Sequence, residues 1–428
     1  MPKIVKLSVI SSALFLAQFA SATDITVNPV SSERTQVIRQ GNTTTINIAP
    51  ANTQGVSYNA YDKFNVGKHG VVFNNRESGA GIIINEVLST EKSQLRGNMH
   101  VDGQKAHLII ANPNGIACNG CSVSGADQLT LTGGKIVFSL DGELLGYHNS
   151  KNNSNIRISN TTENAFSSVN KFNVIAENIT IRNSGISTPN LVMFSGHELV
   201  KYSPDTVRGL EALPGSSGAE KSKLAIRKDS HIKTDNMYIS ANNTDIKNHG
   251  IITVGPVGDA QKQHAVNSQL TLDLVNSHLM NGSKGNIRVT DADSILENSQ
   301  ITNNGNIHID NKHKMLAIGS AVIHNKGNMS SDITEITSLN NVKSGVGINN
   351  YGNLTGSLLV KANQIAFNNK KYLEALDISA DSDVLAYIND GEIMNETAKF
   401  KAYELYHSGN GKITSGPVFE SEIKKPLQ

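Results

Sequence analysis

The sequence has no tryptophan, only two cysteines, and aromatic residues at just 5%. That excludes a disulfide-dense scaffold and leaves little material for a core of large rings. Neither sign of charge dominates, with 38 basic side chains against 37 acidic ones in 428 residues. A nucleic-acid binder announces itself by a strongly basic balance, so neither a nucleic-acid partner nor any other polyanion is expected. Beyond the N-terminus no apolar run approaches the roughly eighteen residues that a membrane-spanning helix needs. What is abundant is asparagine, about 50 residues, and glycine, 36. This is a composition of short strands and turns.

The N-terminus differs from the rest. Lys3 and Lys6 precede an apolar stretch over residues 7–20, and Ala20-Ser21-Ala22 forms a small-residue cleavage site. Residues 1–22 are expected to be a signal peptide, with the mature chain starting at Thr23. Export brings the cysteines into an oxidising compartment. Both lie in Cys118-Asn119-Gly120-Cys121, and neither a second cysteine pair nor a histidine pair at ligand spacing accompanies them. Two thiols alone do not complete a zinc site. A redox pair belongs at the start of a helix, whereas the flanking Asn-Pro-Asn-Gly and Ser-Val-Ser-Gly read as turns. A local disulfide fixing one turn is expected ahead of a redox site.

Apolar residues alternate or come in short β-branched runs such as Ile82-Ile83-Ile84 and His107-Leu108-Ile109-Ile110. Period two punctuated by Asn and Gly predicts an all-β fold. An Ile-x-Asn-x-Gly step recurs at Ile181, Ile246, Ile301, Ile323 and Ile348. The last three are one solenoid coil apart, which favours a parallel β-helix over a sandwich of Asn-Gly hairpins. The Asn and Gly are expected at left-handed corners, with stacked asparagines forming ladders along a narrow core that has little room for rings. Residues from Thr23 to Pro50 are expected to cap the first coil, because an open coil end exposes unpaired backbone. Ser203 to Glu220 reads as an excursion from the helix. Beyond residue 370 the repeat fades, and Tyr372–Leu376 and Ala398–Tyr406 read as partly helical, a C-terminal cap.

Catalytic signatures are missing where their fragments occur. His197-Glu198 has Lys201 where a zinc helix needs its second histidine, and Gly411-Lys412-Ile413 lacks the rest of a phosphate loop. Asp291-Ala-Asp293 lacks the glycine of a calcium loop. No cofactor or metal is expected, the scattered histidines are read as surface residues, and the chain is read as a non-enzyme.

Three blocks carry a family resemblance. They are Tyr58-Asn59 through Phe64-Asn65-Val66 with Gly70-Val-Val-Phe-Asn74-Asn75, then Ile84-Asn85-Glu86-Val87, then Ser93-Gln94-Leu95 through Asn112-Pro113-Asn114-Gly115 to Cys118 and Cys121. In this order they resemble the N-terminal secretion domain of two-partner-secretion exoproteins: filamentous haemagglutinins, haemolysins of the ShlA and HpmA type, and contact-dependent inhibition proteins. The resemblance implies a right-handed parallel β-helix with an N-terminal cap and small extra-helical hairpins or loops. It divides the chain into a secretion domain over 23–255, a repeat shaft over 256–370 and a cap or tail over 371–428. It implies passage through the Sec translocon and then through an outer-membrane TpsB transporter with POTRA domains and a barrel. Asn112, Pro113, Asn114 and Gly115 would form a turn needed for secretion, with Asn85 in a second such element. The expected product is a secreted or cell-surface adhesin that meets host-cell or bacterial surface receptors. The alternatives are a haemolysin, or a truncated contact-dependent inhibition stalk.

Overall fold

In a computed structural model the described residues are 23–426, apart from 33, 150–153, 207, 216–219, 257–267 and 340–341. The signal peptide expected over 1–22 lies outside them. The chain winds into a right-handed parallel β-solenoid of about 16 turns. Right-handed crossover is the sense in which twisted parallel strands pack back on themselves. Along the coils nearly every strand pairs parallel with the strand one turn on, as Asn286–Val289 does with Asn306–Ile309. Every second residue points inward, so the period-two runs fill one continuous core.

The cap lies where it was expected. Asp24–Val27 runs antiparallel to Val56–Asn65, and the hairpin of Gln36–Gln40 and Thr43–Asn47 adds to Val71–Asn75. The end of the first coil is thereby covered. The excursion near residue 203 is part of a four-stranded antiparallel sheet of Lys135–Phe138, Leu144–His148, Leu199–Ser203 and Gly209–Ala212. Leu144, Tyr147, Val200 and Leu210 from this sheet cover Ile84, Ile109, Ile175 and Phe194 on the outside of the solenoid.

Several expectations need correction. The partly helical reading of Tyr372–Leu376 and Ala398–Tyr406 is wrong: Tyr372–Asn389 and Glu392–Ser408 are strands that continue the coils in parallel register. Helix-favouring Ala, Leu, Glu and Lys misled, while Leu373, Ala375, Ile378 and Ala380, then Ala398, Phe400, Ala402 and Leu405, are buried at strand spacing. The core also admits rings at its ends. Phe367, Tyr387, Phe400 and Phe419 stack with successive centroid separations of 5.6, 4.7 and 5.3 Å, and Tyr61, Phe64 and Phe73 are buried near the cap.

The Ile-x-Asn-x-Gly step works as a corner, by a different mechanism. Asn248, Asn281, Asn303, Asn325, Asn350, Asn369 and Asn389 form one buried ladder, each Nδ2 donating to the next Oδ1 at 2.8–3.0 Å. None of these asparagines has positive φ, nor do Gly305, Gly327 and Gly352. Glycine is required because stacked corners touch: a Cβ on Gly327 would lie 2.1 Å from the Gly305 carbonyl oxygen. The Ile181 step stands apart. Ile179 leads through Leu224 to Ile246, while Asn183 is exposed at φ 46° and joins an outer ladder with Asn160 and Asn119.

Candidate functional site

The residues singled out by sequence gather on the first coils beneath the cap. Asn85 sits on Ile82–Val87, whose neighbours are Val56–Asn65 on one side and His107–Ala111 on the other. Its side chain is 1% exposed. The Tyr61 hydroxyl donates to its Oδ1 at 3.0 Å, and its Nδ2 donates to the Ile109 carbonyl at 3.2 Å. One amide thus ties three coils together.

Asn112 follows the last of those strands and is fully buried. Its Nδ2 donates to the Glu91 carbonyl and the Ser93 hydroxyl, both at 2.9 Å, and its Oδ1 accepts from the Asn114 amide at 2.9 Å. The Gly115 amide closes the β-turn on the Asn112 carbonyl at 3.0 Å. Pro113 presets the second turn position. Gly115 has φ +111°, and a Cβ there would meet the Asn155 carbonyl oxygen at 2.8 Å, so both conformation and space call for glycine. Asn114 Nδ2 donates to the Ser89 carbonyl at 2.6 Å. The turn therefore holds the loop after Val87 in place. Asn85 and Asn112 occupy neighbouring coils of one sheet but share no direct hydrogen bond.

Ile116–Asn119 leaves the turn directly, and the sulfurs of Cys118 and Cys121 are bonded to each other, both buried. Cys118 packs in register between Leu95 and Ile158. Between them Gly120 has φ +74°, so the bond closes a tight bulge at a coil corner.

Sequence reading gave no structural role to three further groups. Asn59 is buried beside Asn85 in register, accepting from Thr35 Oγ1 at 2.7 Å and the Ala49 amide at 2.9 Å, and so pins the cap to the first coil. Glu86, 6% exposed, accepts from the Tyr58 hydroxyl at 2.8 Å and the Ile136 amide at 3.0 Å, which joins solenoid to extra-helical sheet. Burial holds its carboxyl above the usual range. A lone carboxylate inside an apolar strand run was the available signal. The third group corrects the placing of the histidines at the surface. His107, His197 and His313 are buried, each with Nε2 at hydrogen-bond distance from a hydroxyl, Thr130, Ser240 and Ser294 respectively. Burial lowers their pKa values to about 3, 4 and 4.

The hydroxyls beside these three histidines are themselves buried in the coils, and the Asn85 and Asn112 amides brace backbone. The family model for the TPS secretion domain matches residues 23–257, more than half of the chain. The chain belongs to the TPS secretion domain family. Among similar proteins are the filamentous haemagglutinin of Bordetella pertussis, 44% identical over 121 residues, the hemolysin of Proteus mirabilis, 38% over 135, and the tRNA nuclease CdiA of Yersinia mollaretii, 40% over 119. These matches cover 24%, 27% and 23% of this chain, and 3%, 8% and 4% of the relatives. The chain thus corresponds to a small part of their length. The crystal structure of the filamentous haemagglutinin secretion domain superposes with a TM-score of 0.44 at 20% identity, covering 82% of this chain and 99% of that one. The HMW1 secretion domain from Haemophilus influenzae gives 0.48 at 14%, covering 95% and 99%. A TPS secretion domain serves export and has a cognate TpsB transporter as partner. TPS exoproteins are secreted or surface-exposed through that transporter.

Proposed function

We propose that this TPS exoprotein is a non-catalytic adhesin whose first coils are the export signal and whose later coils form the displayed rod. The supporting observation is the parallel stack of described strands behind the secretion domain, tied to that domain by the buried Asn248–Asn389 ladder. Such a rod holds repeated outward faces at fixed spacing, which suits multivalent contact with cell-surface receptors. After Sec-dependent entry to the periplasm, the chain leaves through the TpsB barrel and folds coil by coil outside. Each coil needs only its neighbour, so folding itself biases the movement outward. In this reading Asn85 and Asn112–Gly115 act by holding the turn that the transporter meets, because their amides are occupied by backbone, and the disulfide serves the same end. The test is red-cell agglutination assayed beside red-cell lysis with purified secreted protein. Agglutination without lysis supports the adhesin; lysis that depends on co-expression of the transporter would instead make it a haemolysin.

A further inference from the structure

We propose that a cationic groove along one corner of the solenoid, running from the secretion domain into the coil behind it, binds a linear anionic polysaccharide, one carrying repeated sulfate or phosphate groups. Parallel stacking converts one position per coil into a row along the axis, with about 4.8 Å between coils. Arg182 ends the strand Asn178–Arg182, and the Arg227 amide bonds to the Ile181 carbonyl one coil later. His249 follows through its amide to the Ile226 carbonyl, and Lys284 lies in the next corner, closed by Gly285 on Gly282. These corner residues line an open groove of about 670 Å³ that also takes in Arg157, Thr180 and Lys228. At Arg157 and Thr180 it runs on into a second hollow of about 380 Å³ reaching Lys92 and Asn114.

The charge here is unmatched. Arg157, Arg182, Arg227 and Lys284 are exposed and make no ion pair among the described residues. Asp229, the one carboxylate lining the groove, pairs with Lys228 at 3.9 Å. Farther along the rod, by contrast, Lys312 meets Glu335 at 2.6 Å and Lys399 meets Glu420 at 2.8 Å across coils. A net charge of +1 conceals this local excess, which is why the sequence reading discounted polyanions. Cations held one or two coils apart repel, and an extended polyanion relieves that repulsion while releasing its own counterions. The groove is open and several coils long, which suits a chain better than a single anion. No Phe or Tyr lines it, so it lacks the row of large rings on which single-stranded nucleic acid stacks.

This inference deepens the adhesin reading by naming a ligand class. Binding is measured on the full purified protein without cells, so its failure is distinguishable from a failure to agglutinate. Dextran sulfate, a phosphorylated mannan, neutral dextran and single-stranded DNA are titrated by fluorescence anisotropy at low and high salt. One or both charged polysaccharides should bind, more weakly as salt rises, and neutral dextran should not. The response to each separates sulfate from phosphate sources. Arg182→Ala with Arg227→Ala and Lys284→Ala should weaken binding about tenfold. Lys361→Ala with Lys371→Ala and Lys412→Ala, on the C-terminal coils, should leave it unchanged. The single variant Lys284→Glu, checked by circular dichroism, guards against a misfolded triple. No binding to either charged polysaccharide, an unaffected triple variant, or equally tight binding of the DNA overturns the proposal.

Discussion

Removing one rung of the asparagine ladder tests whether it holds the coils together. Asn325 is 2% exposed and makes three inter-coil hydrogen bonds: Nδ2 to Asn350 Oδ1 at 2.9 Å, Nδ2 to the Asn353 carbonyl at 2.7 Å, and Oδ1 from Asn303 Nδ2 at 3.0 Å. A buried hydrogen bond contributes about 1 kcal/mol net, so Asn325→Ala should lose roughly 3 kcal/mol. The neighbours are partly insured: Asn303 Nδ2 keeps the Asn328 carbonyl at 2.7 Å, and Asn350 Oδ1 keeps the Gly352 amide at 3.3 Å. A much larger loss is therefore not expected. The control is Asn353→Ala, whose exposed side chain donates to Asn328 Oδ1 at 2.9 Å in an outer ladder. That change should shift stability by no more than about 0.5 kcal/mol.

A stack of coils need not melt as one unit, so hydrogen exchange is the appropriate assay. Protection should fall at the Lys326, Gly327 and Tyr351 amides, which bond to corner carbonyls of the ladder, while the cap remains protected. Asn325→Asp sharpens the test. It replaces the two donated hydrogen bonds with a carboxylate facing two acceptor oxygens, and burial there raises the carboxyl pKa. The folded state then binds the proton more tightly, so the defect is full above the raised pKa and shrinks as pH falls through it. Exchange in Asn325→Ala no faster than in Asn353→Ala, or an Asp variant whose deficit relative to wild type is no smaller in acid than at neutral pH, would refute the reasoning.

Gly327→Ala should destabilise the middle coils by about 2 kcal/mol or more in urea unfolding, because its Cβ meets the Gly305 carbonyl, whereas Gly345→Ala, with open space around it, should change little. Stability should fall in mild acid. Burial lowers the pKa values of His107, His197 and His313 to about 3, 4 and 4 in the folded chain, against the ordinary 6.5, so below 6.5 the unfolded chain binds more protons. Each then contributes a loss of up to about 1.4 kcal/mol per pH unit down to its folded value. His313→Gln should flatten the slope of the urea midpoint between about pH 7 and pH 5, and an unchanged slope counts against burial. Glu86 has the opposite sign, since a raised carboxyl pKa favours the folded state as pH falls; Glu86→Gln should remove that share. Asn112→Ala should leave the periplasmic pool intact but lower the protein in the medium, measured by immunoblot of the fractions, and normal release would show that the turn is dispensable.

How legible each element was depends on how often its physics repeats along the chain. A coil corner recurs, so its Ile and Asn positions stand out above the background, and the solenoid, its cap and its extra-helical excursion follow from strand-and-turn patterning. The asparagine and glycine roles were harder to read, because an Asn-Gly pair marks a left-handed turn in an isolated chain just as well as a crowded corner in a stack. What separates the two is the absence of positive φ at these corners and the 2.1 Å that would divide a Gly327 Cβ from the Gly305 carbonyl oxygen. The C-terminal coils failed for another reason: Ala, Glu and Lys carry helix propensity worth a few tenths of a kcal/mol each, and that weak preference is overridden once alternate residues find a core.

The candidate export site was legible as a pattern of residues but not as a structure, and the cause is burial. The residue types of Asn85 and Asn112 say nothing of whether their side chains are exposed or buried. Folded, their amides donate to backbone carbonyls: Asn85 to Ile109 within the next strand, and Asn112 to Glu91 in the irregular segment before Ser93. A buried amide of this kind cannot be exchanged for an apolar residue without stranding a carbonyl, which is costly even where no partner protein is involved. The demand on these positions is therefore set by the shape of the first coils, and any partner that reads them reads that shape.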